Sequence, residues 1–406
     1  MARVYKPLGE LGTIVTGKTP KTDVKEYWDG DIPFITPTDV SGYDTYYQTE
    51  TERYITALGA SRQKTTVIPS NSVCVTCIGS TVGKSCLSVR TSITNQQINT
   101  IIPNEGNDYR YILYLLRYNL PYIQLIGGGS GSGTPIISKN KFSKFKFLVE
   151  TDLSVQQRIA SILSAYDKLI ENNNKRIRIL EKMAENLYKE WFVRFRFPGH
   201  ENVPMENGLP KGWRRVKISK SLHTCSGGTP SRSHREYYDN GEIQWVKTGE
   251  IQDSVIINTE ECITELGVKK SSAKILPRNT LLLAMYGVNV GKVGILAQNM
   301  ACNQAACAFL PDNENSSFCY LFYFLKSIRE YLLLIGFGAA QQNLSQALIG
   351  NIRIVLPEKE VILQYESQAG KIMDCITKIK VQNANLARQR DRLLPRLMSG
   401  KLEVKP

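Results

Sequence analysis

One stretch of the sequence has nearly the spacing of a nucleotide-binding loop. Residues 78–85 read IGSTVGKS, and a glycine-rich loop that ends in Gly-Lys-Ser cradles phosphates with its backbone amides and its lysine. The nucleotide-binding pattern needs four residues between its glycines, whereas three separate Gly79 from Gly83. An NTPase is therefore not expected, although a turn whose amides and Lys84 contact nucleic-acid phosphates fits these residues.

A second stretch resembles the tetrad of an amino-methyltransferase. Residues 119–122 read NLPY, similar to the NPPY-type tetrads that hold a target nitrogen beside a methyl donor. Such an enzyme also needs a glycine-rich strand-to-helix turn for S-adenosylmethionine. The glycine-rich segment 127–133 starts five residues after Tyr122, too close to form a separate loop. We therefore interpret NLPY as structural.

The remaining motifs do not indicate a metal-binding site or a catalytic nucleophile. Cys74 and Cys77 form one CxxC among nine scattered cysteines, without a second pair or a histidine cluster to complete a zinc site. No paired carboxylates and no Ser/His/Asp arrangement stand out. The sequence predicts reduced, buried cysteines, no metal site and no catalytic residues.

The charge balance indicates a polyanionic partner. Lysine and arginine number 51 against 37 acidic residues, a net charge of +14 with a pI near 9.2, which favours nucleic acid over membrane. No apolar run approaches the roughly 20 residues that cross a bilayer, and the N-terminus lacks the apolar core of a signal peptide. We expect a cytoplasmic protein.

Two long amphipathic helices are predicted to position these surfaces. In residues 153–197, which contain no proline or glycine, mostly apolar residues recur at alternating spacings of four and three, the pattern of a coiled-coil seam. The positions of this seam are Ile159, Leu163, Tyr166, Ile170, Asn173, Ile177, Leu180, Ala184, Leu187 and Trp191.

A matching seam returns near the C-terminus. Its positions are Ala369, Ile372, Ile376, Ile379, Asn383, Leu386, Arg390, Leu393 and Leu397. If the helices pair antiparallel with Ile159 beside Leu397, the same sum of residue numbers, 556, puts Asn173 opposite Asn383. A buried polar pair can fix coiled-coil register, although a frayed, wet part of the seam remains the alternative. Pro395 is expected to end or kink the second helix.

The whole chain reads as a tandem duplication. Residues 67–103 and 275–311 align without gaps at an offset of 208, with nine identities in 37 positions, whereas composition alone would give about two. Upstream, GKTP matches GGTP, and downstream LIGGG matches LIGFG. Each unit is a globular domain followed by a long helix, so two similar basic surfaces would be held apart by a coiled-coil spacer.

The candidate DNA contacts lie in loops, where binding residues usually sit. In the first copy they are Lys18, Thr19, Lys21, Thr36, Thr38, Ser80, Thr81, Lys84, Ser130, Ser132, Lys139 and Lys141. In the second copy they are Ser231, Arg232, Lys247, Asn289, Lys292, Gln341, Gln342 and Ser345. The copies differ most where side chains could read base edges and agree where residues shape the backbone, as expected for two domains that read different sequences.

Two amide pairs are identical in both copies. Asn95-Gln96 and Asn303-Gln304 could hydrogen-bond adenine. Because both copies keep them, we favour a buried, structural hydrogen-bonding role.

At this point the chain resembles a specificity subunit of a type I restriction–modification system over nearly its whole length. The stretch QQRIASILSAYDKLIENNNKRIRILEKMAENLYKEWFVRF is similar to the family's central helix, LLPRLMSGKLEV to its C-terminal end, and LPKGW followed by GGTP to the start of its second recognition domain. One departure concerns the glycine-rich loop at 127–133, which the second copy replaces by GFGAAQQN.

The resemblance implies an α+β protein with two target recognition domains and an antiparallel coiled coil. On this basis residues 1–152 form the first recognition domain, 153–198 the central helix, 199–357 the second recognition domain and 358–406 the C-terminal helix. Each domain would read one half of a split site in double-stranded DNA. The helices would dock two modification (adenine methyltransferase) subunits, which restriction subunits then join. S-adenosylmethionine, ATP and magnesium would belong to those partners.

Two other classes of protein stay open at this stage. A self-contained adenine methyltransferase would need a cofactor loop that the sequence does not supply. A coiled-coil adaptor that binds proteins would have no sequence-dependent affinity for DNA and little dependence on salt.

Overall fold

The computed structural model describes residues 3–40, 46–48, 50–127, 136–311, 317–337 and 343–405. The chain divides into two units: unit 1 comprises Met1–Asn174 with Asn383–Pro406, and unit 2 comprises Lys175–Gln382. Two long helices contribute residues to both units.

The first half of the chain alternates short strands and short helices before the first long helix. Its strands are β1 (Arg3–Pro7), β2 (Gly12–Thr16), β3 (Trp28–Ile35), β4 (Tyr47–Gln48), β5 (Arg53–Ile55), β6 (Val67–Ile68), β7 (Val73–Thr76), β8 (Ser85–Ser88), β9 (Ser92–Thr94), β10 (Ile98–Pro103) and β11 (Lys146–Glu150). Its helices are α1 (Leu8–Leu11), α2 (Ala57–Ser61), α3 (Tyr109–Tyr118), α4 (Leu120–Gly127), α5 (Lys139–Ser143) and α6 (Leu153–Tyr188).

The second half follows the same pattern. Its strands are β12 (Met205–Glu206), β13 (Leu209–Pro210), β14 (Arg214–Lys217), β15 (Thr224–Ser226), β16 (Ile243–Val246), β17 (Ser254–Ile256), β18 (Cys262–Ile263), β19 (Leu281–Ala284), β20 (Val293–Leu296), β21 (Ala301–Cys302), β22 (Ala306–Phe309) and β23 (Arg353–Leu356). Its helices are α7 (Ile218–Ser221), α8 (Glu265–Lys269), α9 (Phe318–Ser327), α10 (Arg329–Phe337), α11 (Gln346–Asn351) and α12 (Lys359–Ser399).

The sheets of the two units have equivalent topologies. Unit 1 has a five-stranded sheet in the order β2-β10-β7-β8-β4, and unit 2 has one in the order β15-β22-β19-β20-β17. In each, the last listed pair is parallel and the others are antiparallel. The two-stranded sheets β1-β11 and β14-β23 also correspond. The duplication seen in the sequence is thus a duplication of the fold.

Helix α3 and its counterpart α9 pack against the five-stranded sheets. Asp108 caps α3 by accepting hydrogen bonds from the amide of Arg110 at 2.8 Å and that of Tyr111 at 3.1 Å. Ser317 caps α9 by accepting from the amide of Tyr320 at 3.0 Å. Both caps satisfy amides that a helix N-terminus leaves unpaired, and both helices bury most of their side chains.

The predicted helical seams are largely buried. Ile159 and Leu163 of α6 have no exposed surface and pack in the core of unit 1 with Leu394 and Leu397 of α12. Within unit 1, Asn173 Nδ2 lies 2.8 Å from Asn383 Oδ1, and Arg390 contacts Asp167. The two helices therefore run antiparallel there, in the register that the shared sum of residue numbers predicts. The register-fixing role of the two asparagines stays a prediction.

The end of α6 differs from the uninterrupted helix expected up to residue 197. The α-helix ends at Tyr188, and a π-helical turn follows at Lys189–Val193. Inserting a residue in this way lets the neighbours Trp191 and Phe192 both be buried. Phe195, with φ of +57°, then leaves the helix.

The C-terminal helix is longer than its seam suggests. It begins at Lys359 and continues to Ser399, so Pro395 lies inside it and does not end it. Among the described residues, no helix combines the length and the apolarity that crossing a bilayer requires. Six of the nine cysteines are buried, and burial raises the pKa of the Cys77 thiol to about 11, which keeps it protonated at neutral pH.

Candidate nucleic-acid interface

The near-phosphate-loop motif and its repeat form one backbone structure twice. We call residues 77–84, between β7 and β8, tip loop 1, and residues 285–292, between β19 and β20, tip loop 2. Four backbone hydrogen bonds match at an offset of 208; those of tip loop 1 join the amides of residues 76, 82, 83 and 84 to the carbonyls of residues 84, 79, 76 and 81. In tip loop 2 they join the amides of residues 284, 290, 291 and 292 to the carbonyls of residues 292, 287, 284 and 289.

The identical glycines are explained by this geometry. Gly79, Gly83, Gly287 and Gly291 all have φ between 60° and 83°, a region that side chains disfavour. Each tip loop joins two antiparallel strands, whereas a nucleotide-binding loop leads into a helix. The repeated motif is therefore a shaped turn between two strands, which differs from the strand-to-helix setting of a nucleotide-binding loop.

In tip loop 1 the predicted contact residues are accessible to different degrees. Ser80 is exposed, Thr81 and Lys84 are half-buried, and the Thr81 hydroxyl donates a hydrogen bond to the Ile78 carbonyl at 2.9 Å. Ser80 therefore presents its side chain at the apex of the turn.

In tip loop 2 one prediction needs correction. The sequence places Asn289 among the exposed DNA contacts, but its side chain is 5% exposed. Its amide donates to the carbonyls of Thr248 at 3.0 Å and Gly249 at 3.1 Å. Asn289 thus anchors tip loop 2 to the neighbouring turn. Lys292 Nζ donates to Gln252 Oε1 at 2.6 Å.

The Gly-Thr-Pro turns carry a second repeated contact. Thr19 donates a hydrogen bond to Gln96 Oε1 at 2.6 Å, and Thr229 makes the same contact with Gln304. Both glutamines are exposed, so the expectation of buried amides is wrong for them, although their hydrogen bonds are present. The partly buried Asn95 accepts from the amide of residue 97 at 3.0 Å. Lys18 and Lys21 are exposed beside the first of these turns.

The turn after β3 and its counterpart after β16 are closed by an acid. Asp39 Oδ2 accepts from the Thr36 amide at 2.7 Å and from its hydroxyl at 2.6 Å, and the Thr36 and Thr38 hydroxyls lie 2.7 Å apart. Glu250 accepts from the Lys247 amide at 2.7 Å. The two turns are thus closed in the same way, but much of the hydrogen-bonding capacity of Thr36 is used within the turn.

Carboxylates pair with two of the predicted cations of unit 2, Arg232 and Lys247. Arg232 Nη2 lies 2.7 Å from Glu261, and Lys247 Nζ lies 2.9 Å from Glu260 and 3.1 Å from Glu261. Hydrogen bonds to Glu260 and Glu261 raise the pKa of Lys247. Arg232 and Lys247 are thus joined through one shared acid.

Arginines also stack on aromatic rings at equivalent places in the two units. The Arg232 guanidinium lies 4.3 Å from the centre of the Tyr238 ring. In unit 1 the exposed Arg53 lies 3.5 Å from the centre of the Trp28 ring, which aligns with Tyr238. Arg53 was missed by the sequence reasoning, because only the β3–β5 pairing brings it to Trp28.

The remaining candidates fall in three groups. Lys139 and Ser231 are exposed, with the Ser231 hydroxyl 2.7 Å from that of residue 233. Lys141 Nζ donates to the Ile126 carbonyl at 2.9 Å, at the end of α4, and Ser345 caps α11 by accepting from the amide of residue 348 at 3.2 Å. The candidates outside the described residues are Ser130, Ser132, Gln341 and Gln342.

The methyltransferase-like tetrad has local partners. Asn119 Nδ2 donates to the Leu115 carbonyl at 2.8 Å, at the end of α3. The Tyr122 ring packs edge-on against Phe145 and Phe147. These contacts fit the structural interpretation of NLPY. In the part of the chain that the structure describes, no group of three or more His, Cys, Asp or Glu could hold a metal ion.

Comparison with known families gives each unit the same assignment. The model of the type I restriction modification DNA specificity domain matches residues 4–182 and again residues 210–388. The chain belongs to this family. It is a type I specificity subunit, which contributes DNA recognition to a restriction–modification complex and not catalysis.

Curated relatives and a solved structure agree with this assignment. The chain is 29% identical over 412 residues to the type I restriction enzyme MjaIX specificity subunit of Methanocaldococcus jannaschii, covering 98% of this chain and 93% of that protein. It is 22% identical over 378 residues to the HindI specificity subunit of Haemophilus influenzae, covering 78% and 81%. The crystal structure of a type I S subunit from M. genitalium has the same fold, with a TM-score of 0.61 at 16% identity, covering 98% of this chain and 96% of that one.

Proposed function

We propose that this specificity subunit reads a split target in double-stranded DNA, with one half read by each unit. The observation that carries the proposal is the pair of tip loops. Their backbone hydrogen bonds match one for one, whereas the exposed side chain at the apex is Ser80 in one and Val288 in the other. Two loops with the same backbone conformation and different apex side chains suit two domains that contact the same duplex and read different bases.

The distribution of charge supports this proposal. Unit 1 exposes Lys18 and Lys21 on a loop and Lys139 at the start of α5, and the chain as a whole carries a net charge of +14. Cations on loops bind the phosphate backbone without regard to sequence and so position the base-reading side chains.

The subunit's partners follow from its place in such a complex. We assign to it two modification subunits, which would dock on the long helices, and restriction subunits that join them. S-adenosylmethionine, ATP and magnesium would be bound by those partners, and the complex would act in the cytoplasm.

The test is a map of methylated adenines in host DNA, with and without the gene for this chain. We expect one split motif to disappear when the gene is deleted and to return when the unchanged gene is restored. Exchanging residues 1–150 for those of a related specificity subunit should alter one half of the motif and leave the other half unchanged.

The outcome against the proposal is equally defined. The parent strain must express the chain and its partners. If every motif methylated in that strain is still methylated after the gene is deleted, this chain does not direct methylation. If the exchange alters both halves or neither, the two units do not read separate half-sites.

A further inference from the structure

Val288 is an apolar side chain that the fold of unit 2 leaves in water. It is 99% exposed, the highest value among the exposed large apolar residues of the described chain. It follows Gly287, where an added Cβ would meet no atom within 4 Å. An isopropyl group gains free energy only when it is removed from water, and within unit 2 it is not.

The tip that carries Val288 is held from several sides. Asn289 bonds to the turn at residues 248–249, and the Arg329 Nε–H donates to the Gly291 carbonyl at 3.2 Å. The Leu344 amide donates to the Met285 carbonyl at 2.9 Å. A side chain on so anchored a turn is pre-organised, so little conformational entropy is lost when it meets a partner.

The charge beneath the tip favours an anionic partner. Lys292, at the end of tip loop 2, donates to the neutral amide of Gln252. No ion pair found among the described residues involves Lys292. Its counterpart Lys84 occupies the same place in tip loop 1. A lysine at the base and an apolar apex match a DNA groove, in which phosphates flank the base edges.

We propose that Val288 is a specificity-determining residue, and that it contacts the 5-methyl group of a thymine in the major groove of the half-site read by unit 2. The inference rests on the function proposed above. The thymine methyl is the apolar group that base pairs present in that groove, and apolar side chains recognise it by contact. Ser80, at the same place in unit 1, offers a hydroxyl, so the two units differ in chemistry at one position of a shared frame.

The test uses the full chain assembled with its modification subunits and DNA carrying the target motif. Each thymine of the motif, on either strand, is replaced in turn by uracil, which lacks only the methyl group. For the wild type we expect about fourfold weaker binding at one thymine, the factor that burial of one methyl group supplies. Val288→Ala should reduce that factor to less than twofold. Val381→Ala, an exposed valine on α12 of the same unit, should retain it.

Three results would overturn the inference. In the first, no uracil replacement weakens binding by the wild type. In the second, Val288→Ala shows the same loss of affinity as the wild type at every thymine replaced by uracil, and in the third, Val381→Ala reduces that loss as much as Val288→Ala does. The proposed function stands in each case as long as the wild type still methylates a split motif in host DNA. A wild type that binds all sequences equally would remove the proposed function itself, and this inference with it.

Discussion

Asn173 donates a hydrogen bond to Asn383 Oδ1 across 2.8 Å, and Asn383 Nδ2 donates in turn to Asn174 Oδ1, also at 2.8 Å. The three amides join the two long helices within unit 1, where Asn173 is 4% exposed. We expect this partly buried amide chain to stabilise one register over its neighbours, because a shifted pairing leaves polar groups unsatisfied.

The first prediction concerns this amide chain. Asn173→Leu should lower the free energy of unfolding by about 1–2 kcal/mol, because it removes the amide that donates to Asn383 Oδ1 in the helical seam. Adding Asn383→Leu should recover most of that loss, because two leucines pack well in a coiled-coil seam. Chemical denaturation measures both variants. Asn172→Leu, exposed on the same helix, is the control, and a double variant as unstable as the sum of the single ones would contradict the prediction.

The second prediction concerns the buried pair Asp167–Arg390. Both side chains are 3% exposed, and Asp167 is also 3.4 Å from Arg117. Asp167→Asn should lower the free energy of unfolding by about 3 kcal/mol or more, because it removes the buried carboxylate that Arg117 and Arg390 share.

The duplication supplies a matched control for Asp167. Asp374 of α12 aligns with Asp167 of α6 at an offset of 207 residues. It pairs with Arg278 at 2.7 Å, but both side chains are 55% exposed. Asp374→Asn should cost less than about 1 kcal/mol. Equal effects of the two substitutions in chemical denaturation would show that burial does not set the strength of these pairs.

The third prediction concerns the acid shared by Arg232 and Lys247. Glu261→Gln should raise the affinity for any duplex severalfold, because it frees Arg232 for phosphates and leaves Lys247 with Glu260 alone, and it should steepen the dependence of binding on salt. Fluorescence anisotropy between 50 and 200 mM salt measures both effects. Glu265→Gln makes the same change of charge beside Lys269 in α8, where both side chains are mostly exposed. If it raises affinity equally, the effect is one of net charge and not of these two cations.

The fourth prediction concerns the lysines of the tip loops. Replacing Lys84 or Lys292 by alanine should weaken binding to all sequences alike and reduce the slope of log affinity against log salt by about 1. Lys189→Ala removes the same charge from the π-helical turn that follows α6, where the exposed Lys189 pairs with Glu185, and should leave both quantities unchanged. Unchanged affinity and slope in the tip-loop variants would remove these lysines from the interface.

The fifth prediction concerns pH. Burial raises the pKa of the Glu366 carboxyl above its ordinary value of 4.5, so the folded state binds this proton more tightly than the unfolded state does. Its contribution to stability is therefore fully present below pH 4.5 and is lost as pH rises through the folded pKa.

Glu366→Gln, which cannot ionise, tests the sign of that dependence. The Tm of the variant relative to wild type should increase between pH 4 and 7, as the wild type comes to carry a buried charge. Glu360→Gln, exposed on the same helix, should follow the wild type at every pH. A difference between Glu366→Gln and wild type that does not change with pH would contradict the assignment.

Most of the fold could be predicted from the periodicity and the internal repetition of the sequence. The seam positions of α6 and α12 could be predicted because burial on one side of a helix imposes its spacing on the sequence. The turns could be predicted in part because positive φ selects residue types. Asn71 and Asn279, identical in the two copies, have φ of +62° and +66°.

The contacts of the candidate site could not be predicted in the same way. The burial of Asn289 depends on carbonyls about 40 residues away, and the partners of Arg232 depend on how the strands β16 and β18 are paired. Such contacts leave no period in the sequence. The π-helical turn after Tyr188 was missed for a related reason, because it is set by the aromatic side chains packed around Trp191 and Phe192.

The shared frame of the two tip loops has an evolutionary consequence. Its shape is held by glycines and backbone hydrogen bonds, so residues 80 and 288 can be substituted while the loop keeps its fold. A single nucleotide change there could move the chain to a neighbouring target sequence. In a complex where the protecting and the cutting partners take their target from one chain, both activities would switch together, and a lineage could acquire a new defence barrier against incoming DNA in one step.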